Sequence, residues 1–145
     1  MYKHSALETI FTALDTQLNS LANGSACSPS SVIDNGTTGT QRWPAAMVEI
    51  YIAAQASARS TGASVSLYII PTTDGTNYGD VTAECLNNYL AGTYSLDAAT
   101  TARRITKRVV LPPTDYKVVL KNSTGQPLAS SGNTVKFREF TAEDA

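Results

Sequence analysis

One histidine, one tryptophan, two cysteines and a charged share of only 16% leave this 145-residue chain short of most side chains that carry chemistry. A single histidine, His4, excludes a His-based zinc site, and no serine sits in a nucleophile-elbow context such as GxSxG. Cys27 and Cys85 lie far apart, form no CxxC or Cys/His pattern, and have no basic flank to favour the thiolate. No pair of carboxylates stands out for acid–base work, so no catalytic residue, metal or cofactor is expected and the chain reads as a non-enzyme. No apolar run approaches the roughly 20 residues that a membrane span needs. The start "MYKHSALETIF" lacks the apolar core of a secretory signal, so a soluble protein made in a reducing cytoplasm, with free thiols, is expected. A net charge of −1 gives no electrostatic case for nucleic acid or an anionic membrane as partner.

What fills the deficit is Thr, Ser, Ala, Asn and Gly beside 42% hydrophobic residues. That mixture suits a β-rich domain with uncharged turns, and the length suits one domain. From residue 46 the hydrophobic period is two. In "MVEIYIAA", Val48, Ile50 and Ile52 oppose Glu49 and Tyr51; in "SVSLYII", Val65, Leu67 and Ile69 oppose Ser64, Ser66 and Tyr68. "ITKRVVL", "YKVVLKN" and "TVKFREF" continue the pattern, separated by "PPT" and "STGQPLASSG". The expected fold is mainly β: an antiparallel β-sandwich of jelly-roll type over residues 25–145.

Residues 1–24 read as an N-terminal arm or short helix. Ile10, Leu14, Leu18 and Leu21 recur at four, four and three, Ser5 and Glu8 have capping-box spacing, and Asn23-Gly24 would stop the helix. The following "SACSPSSVIDNGTTGTQRWP" reads as a long surface connection, a common place for contacts.

The acid-rich phrase "DGTNYGD" lacks the ligand spacing of a calcium loop, because the twelfth position from Asp74 is Cys85. It reads as a structural turn built on Asp74, Gly75, Asn77 and Tyr78. "TARRITKRVVL" places Arg103, Arg104, Lys107 and Arg108 within six residues. It fits the charges of an edge strand, or a strip that meets an acidic protein partner; as a nucleic-acid stripe it lacks interleaved aromatics. Trp43 fits a core plug and a contact anchor equally well. The sequons at Asn23, Asn35 and Asn122 follow from composition.

Three phrases taken in order carry a resemblance. "LNSLANGSA…SSVIDN", "AMVEIYIAAQAS…GASVSLYIIPTTDGTNYGD" and "RVVLPPTDYKVVLKNSTGQPLASSGNTVKFREF" together are similar to small structural proteins of tailed bacteriophages, of the head decoration or cement type. The stretch "YSLDAATTARRIT" has no counterpart in that pattern. The resemblance implies a jelly-roll sandwich that forms dimers or trimers, sits on the outer face of the capsid, and takes the major capsid protein as its partner. It also implies that the N-terminal segment is a contact arm, which makes Leu14, Leu18, Leu21, Trp43, Arg103, Arg104, Lys107 and Arg108 candidate interface residues. Two alternatives stand beside it. One is a carbohydrate-binding or adhesin-like β-sandwich, for which Trp43, Tyr51, Tyr68 and Tyr78 are candidate aromatic platforms. The other is a phage tail or neck component.

Overall fold

A computed structural model describes residues 2–7, 9–35 and 42–144, with side chains over 9–35 and 42–141. Eight strands form in the order β1 (Tyr2–Leu7), β2 (Phe11–Leu14), β3 (Ala45–Ile52), β4 (Ser64–Pro71), β5 (Leu90–Ser95), β6 (Arg103–Val110), β7 (Tyr116–Ser123) and β8 (Thr134–Asp144). Two 3-10 turns, Thr16–Leu18 and Cys85–Tyr89, are the only helical elements among the described residues.

The strands make two antiparallel sheets. Sheet A runs β1-β8-β3-β6, with β2 also paired to β8; sheet B runs β5-β4-β7. Beyond β7 a fourth, irregular strand closes sheet B. Residues 25–33 lie antiparallel to β7 through Ala26↔Lys121 and Ile33↔Tyr116, with amides of Cys27, Ser30 and Ile33 donating to carbonyls of β7. This run has more residues than the length of β7 it accompanies, so side chains fill the gaps: Ser30 Oγ accepts from Val118 N at 2.9 Å and Cys27 Sγ from Leu120 N at 3.3 Å. From β2 onward the chain crosses from sheet to sheet in the jelly-roll manner at every connection but β4–β5, which stays within sheet B. The fold is therefore the expected antiparallel β-sandwich.

The core is the set of inward residues of period two. Val48, Ile50, Ile52, Val135 and Phe137 from sheet A meet Val65, Leu67, Val118 and Leu120 from sheet B, all at 1% exposure or less. Such alternation is what a half-buried strand dictates. β4 departs from it, because Tyr68 and Ile70 are also buried although they face outward from sheet B. The excursion after β4 covers them: its Cys85–Tyr89 turn lies against β4 and buries Leu86, and Gly79 leaves just the room that the Tyr89 ring occupies. Sheet B is thus covered on its outer face at the Tyr68 and Ile70 end and open at the Ser64 and Ser66 end, and Tyr68 is packing, not a platform.

The N-terminal helix is corrected to strands. The four-residue spacing does not mark one face, since Ile10 is exposed and Leu14 fully buried, and β8 offers an unpaired edge whose hydrogen bonds a helix could not use. Phe11 pairs with Phe137, then a bulge before Leu14 brings that side chain inward as well. The segment up to residue 18 is part of the sandwich, not an arm appended to it.

Candidate functional site

Leu14 and Leu18 are fully buried in the core, and Leu21 is half-buried with its carbonyl accepting from Asn122 Nδ2 and Leu128 N. These leucines are corrected from contact residues to core, because the strand pairing of β2 turns them between the sheets. Trp43 is also buried. Its N–H donates to Asn35 Oδ1 at 2.7 Å and its carbonyl accepts from Asn35 Nδ2 at 3.0 Å, so it plugs one end of the sandwich. The sequon asparagines Asn35 and Asn122 are buried and hydrogen-bonded through their amides.

Asp74 organises the turn after β4. Its Oδ1 accepts from Asn77 N at 2.7 Å and Thr76 N at 2.8 Å, and its Oδ2 from Asn77 Nδ2 at 2.8 Å. The Asn77 amide, its side chain and the Thr76 amide hold this carboxyl well below the usual carboxylate range. Gly75 supplies the left-handed backbone at φ +78° that a side chain would oppose. Tyr78 lies under Lys117, whose Nζ is 4.7 Å from the ring centroid. Among the described residues no cluster of His, Cys, Asp or Glu could hold a metal ion. Cys27 and Cys85 are both free.

The basic run of β6 does not act as one strip, because the pleat sends alternate residues to opposite faces. Arg103 and Lys107 turn toward sheet B and the sandwich edge. Arg103 forks onto Asp97, with Nη2–Oδ2 at 2.6 Å, and Lys107 Nζ donates to the Thr93 carbonyl at 2.9 Å, 5.0 Å from the Tyr94 ring centre. Arg104 and Arg108 point the other way, onto the outer face of sheet A.

That face is where functional side chains gather. The register of β6, β3 and β8 sets them in three rows across the sheet: Arg108–Met47–Arg138, Thr106–Glu49–Lys136, and Arg104–Tyr51–Thr134. Thr12 of β2 extends the middle row beyond Lys136. A shallow trough of about 420 Å³ runs over this array, between Ile10 and Met47 on its apolar side and Glu49, Arg104, Thr106, Lys136 and Arg138 on its polar side. The Arg104 guanidinium lies 5.1 Å from the Tyr51 ring centre and 3.4 Å from Glu49 Oε1, so a planar donor group is held flat beside an aromatic ring. Of the four aromatics proposed as platforms, only Tyr51 lies on this face. Met47, Glu49, Thr106, Lys136 and Arg138 were not singled out in the sequence. The alternation of "TVKFREF" marks Lys136 and Arg138 as outward, but nothing local says which strands adjoin β8.

No protein-family model matches the chain, and no curated protein matches it. Several solved structures are similar to it over most of the chain. The C-terminal family 6 carbohydrate-binding module of LamC, a marine laminarinase from Zobellia galactanivorans, is 12% identical with a TM-score of 0.48, over 95% of this chain and 93% of that one. The family 35 carbohydrate-binding module of Abf62 from Cellvibrio japonicus is 15% identical with a TM-score of 0.43, over 100% and 96%. A further family 6 module is 16% identical with a TM-score of 0.45, over 97% and 89%. The head-decoration reading is corrected here. The solved structures named above are carbohydrate-binding modules, and none of them is a capsid or virion protein.

Proposed function

We propose that this chain is a non-catalytic carbohydrate-binding module that lays a glycan along the outer face of sheet A. The observation that carries the reading is the open trough over β6, β3 and β8, where planar donors, hydroxyls and apolar surface alternate within reach of one another. A sugar ring has an apolar C–H face and a rim of hydroxyls, so a site for it needs both kinds of surface side by side. Met47, Ile10 and the Tyr51–Arg104 pair supply the first; Glu49, Thr106, Lys136 and Thr12 supply the second. On the outer face of sheet B the excursion after β4 covers the Tyr68 and Ile70 end, and the open end presents Ser64, Ser66, Thr93 and Lys121 without an aromatic ring. The long rigid strands hold the array without a loop having to order on binding, which spares that entropic cost.

Electrophoresis through gels cast with a panel of neutral and acidic polysaccharides tests this. At least one polysaccharide should retard the protein. Tyr51→Ala should weaken that retention by roughly five- to tenfold, the size expected for one aromatic contact with its stacked guanidinium. Ser66→Ala, on the outer face of sheet B, should leave it unchanged. Migration unaffected by every polysaccharide, or retention indifferent to Tyr51, would contradict the reading.

A further inference from the structure

We infer that the glycan is acidic, a polysaccharide whose repeating units carry carboxylate or sulfate groups. The inference rests on the carbohydrate reading above and adds the charge class of the ligand.

Four cations, Arg104, Arg108, Lys136 and Arg138, stand on the outer face of sheet A, Arg138 with a contact of its own, and among the residues of that face whose side chains are described Glu49 is the single acid. Glu49 is already turned to Arg104 at 3.4 Å. This concentration belongs to a chain whose net charge is −1, so it reflects segregation and not a generally basic protein. Several of the cations elsewhere are already engaged by the fold. Arg59 and Arg103 both bind Asp97, Lys107 binds the Thr93 carbonyl, and Lys117 lies on Tyr78.

The layout also fits a polymer. Strand geometry puts β6 and β8 about 10 Å apart across β3, and Arg104 about 13 Å from Arg108 along β6. Arg108 and Arg138 therefore flank Met47 from either side, one row from Lys136. A chain of rings lying on the Met47 line would present its charged substituents sideways to cations on both flanks. Guanidinium groups bind carboxylate and sulfate through paired N–H donors. Each exposed contact is weak, but repetition along one polymer compensates.

Nucleic acid is the other polyanion to weigh. Single strands are held by successive bases stacked on aromatic side chains. Among the described side chains of this face the only aromatic that is not buried is Tyr51, and Arg104 already lies over its ring; Phe140, on the same face of β8, is buried. The array therefore favours an acidic glycan.

The test runs the intact protein and Arg108→Ser/Lys136→Ser in parallel gels. The gels contain polygalacturonate, a sulfated galactan, an unsubstituted β-glucan or single-stranded DNA, at about 50 and 500 mM salt. The expected result is retention by one or both acidic polysaccharides, at least tenfold stronger than by the β-glucan and weakened by salt. The double variant, with its thermal midpoint unchanged, should lose about tenfold on the acidic polymer alone. The polygalacturonate and sulfated-galactan lanes distinguish carboxylate from sulfate as the recognised group. Equal retention by β-glucan and acidic polymers overturns the inference and leaves the carbohydrate reading standing. Retention by DNA as strong as by the acidic glycans overturns it in favour of a nucleic acid. Retention by nothing overturns both.

Discussion

Replacing Arg59 by methionine should lower the free energy of unfolding by about 3 kcal/mol, read from urea denaturation. The Arg59 side chain is 0% exposed, yet every nitrogen of its guanidinium donates a hydrogen bond. Its Nε donates to the Asp97 carbonyl at 2.9 Å, Nη2 to Asp97 Oδ1 and the Thr101 carbonyl, both at 2.9 Å, and Nη1 to Gln55 Oε1 at 3.0 Å. Gln55 in turn donates to the Pro127 carbonyl at 2.9 Å. One side chain therefore ties the β3–β4, β5–β6 and β7–β8 connections into one end of the sandwich. Methionine matches its length but leaves two carbonyls and an amide oxygen without donors, each costing about 1–3 kcal/mol where water cannot reach. Exposure of Asp97 to solvent limits the loss, since that carboxylate can be hydrated once its partner is gone. For a domain of this size the midpoint of thermal unfolding should fall by roughly 6–12 °C. The same hub gives the fold an acid dependence. Hydrogen bonds from Arg103 first, then Arg59, pull the Asp97 carboxyl down to about 2. A depressed carboxylate contributes stability above its ordinary value, about 3.9, and that contribution disappears as pH falls toward 2. Between pH 4 and 2 the wild type should lose stability more steeply than Arg59→Met. An Arg59→Met protein within 1 kcal/mol of wild type at neutral pH would show the hub to be dispensable.

The other large effect lies in the core. Phe137→Ala should cost about 3–5 kcal/mol, because it opens a cavity where three strands meet. Phe137 is 0% exposed, its ring centre is 5.6 Å from that of Phe11 in β2, and it is 6.1 Å from that of Tyr116 in β7. It is the point at which the N-terminal strand and both sheets share one contact. Its neighbours on the chain, Lys136 and Arg138, occupy the opposite side of the pleat on the proposed binding face. Phe137→Leu should cost less than Phe137→Ala, by filling most of the volume, and should preserve glycan retention. A Phe137→Ala protein that unfolds at the wild-type urea midpoint would remove Phe137 from the centre of the core.

Much of this architecture is legible in the sequence, and the parts that are not share a cause. Val48-Ile50-Ile52, Val65-Leu67-Ile69 and Val135-Phe137 announce their strands, since one face is core and the other is not. β5 escapes notice because "LAGTYS" buries only Tyr94 and shows no alternation. The 25–33 strand reads as a loop because serine and cysteine side chains, not a regular ladder, complete its pairing with β7. The N-terminal strand imitates a helix because a bulge before Leu14 breaks the period-two pattern that would have marked it. The binding face was divided among three segments centred on Glu49, Thr106 and Lys136. Each shows its outward residues locally, but their adjacency comes only from the order β8-β3-β6. The same pleat dissolved the basic run of β6 into two pairs with different tasks.

The most direct measurement for the proposed function is a titration of isotope-labelled protein with an oligosaccharide of the retaining polysaccharide, followed by amide chemical shifts. The account predicts that the largest changes map to Met47, Glu49, Tyr51, Arg104, Thr106, Arg108 and Lys136, across three strands of one face. Changes confined to the turn at Asp74, or to the loops joined by Arg59, would place the ligand at an end of the sandwich and contradict it.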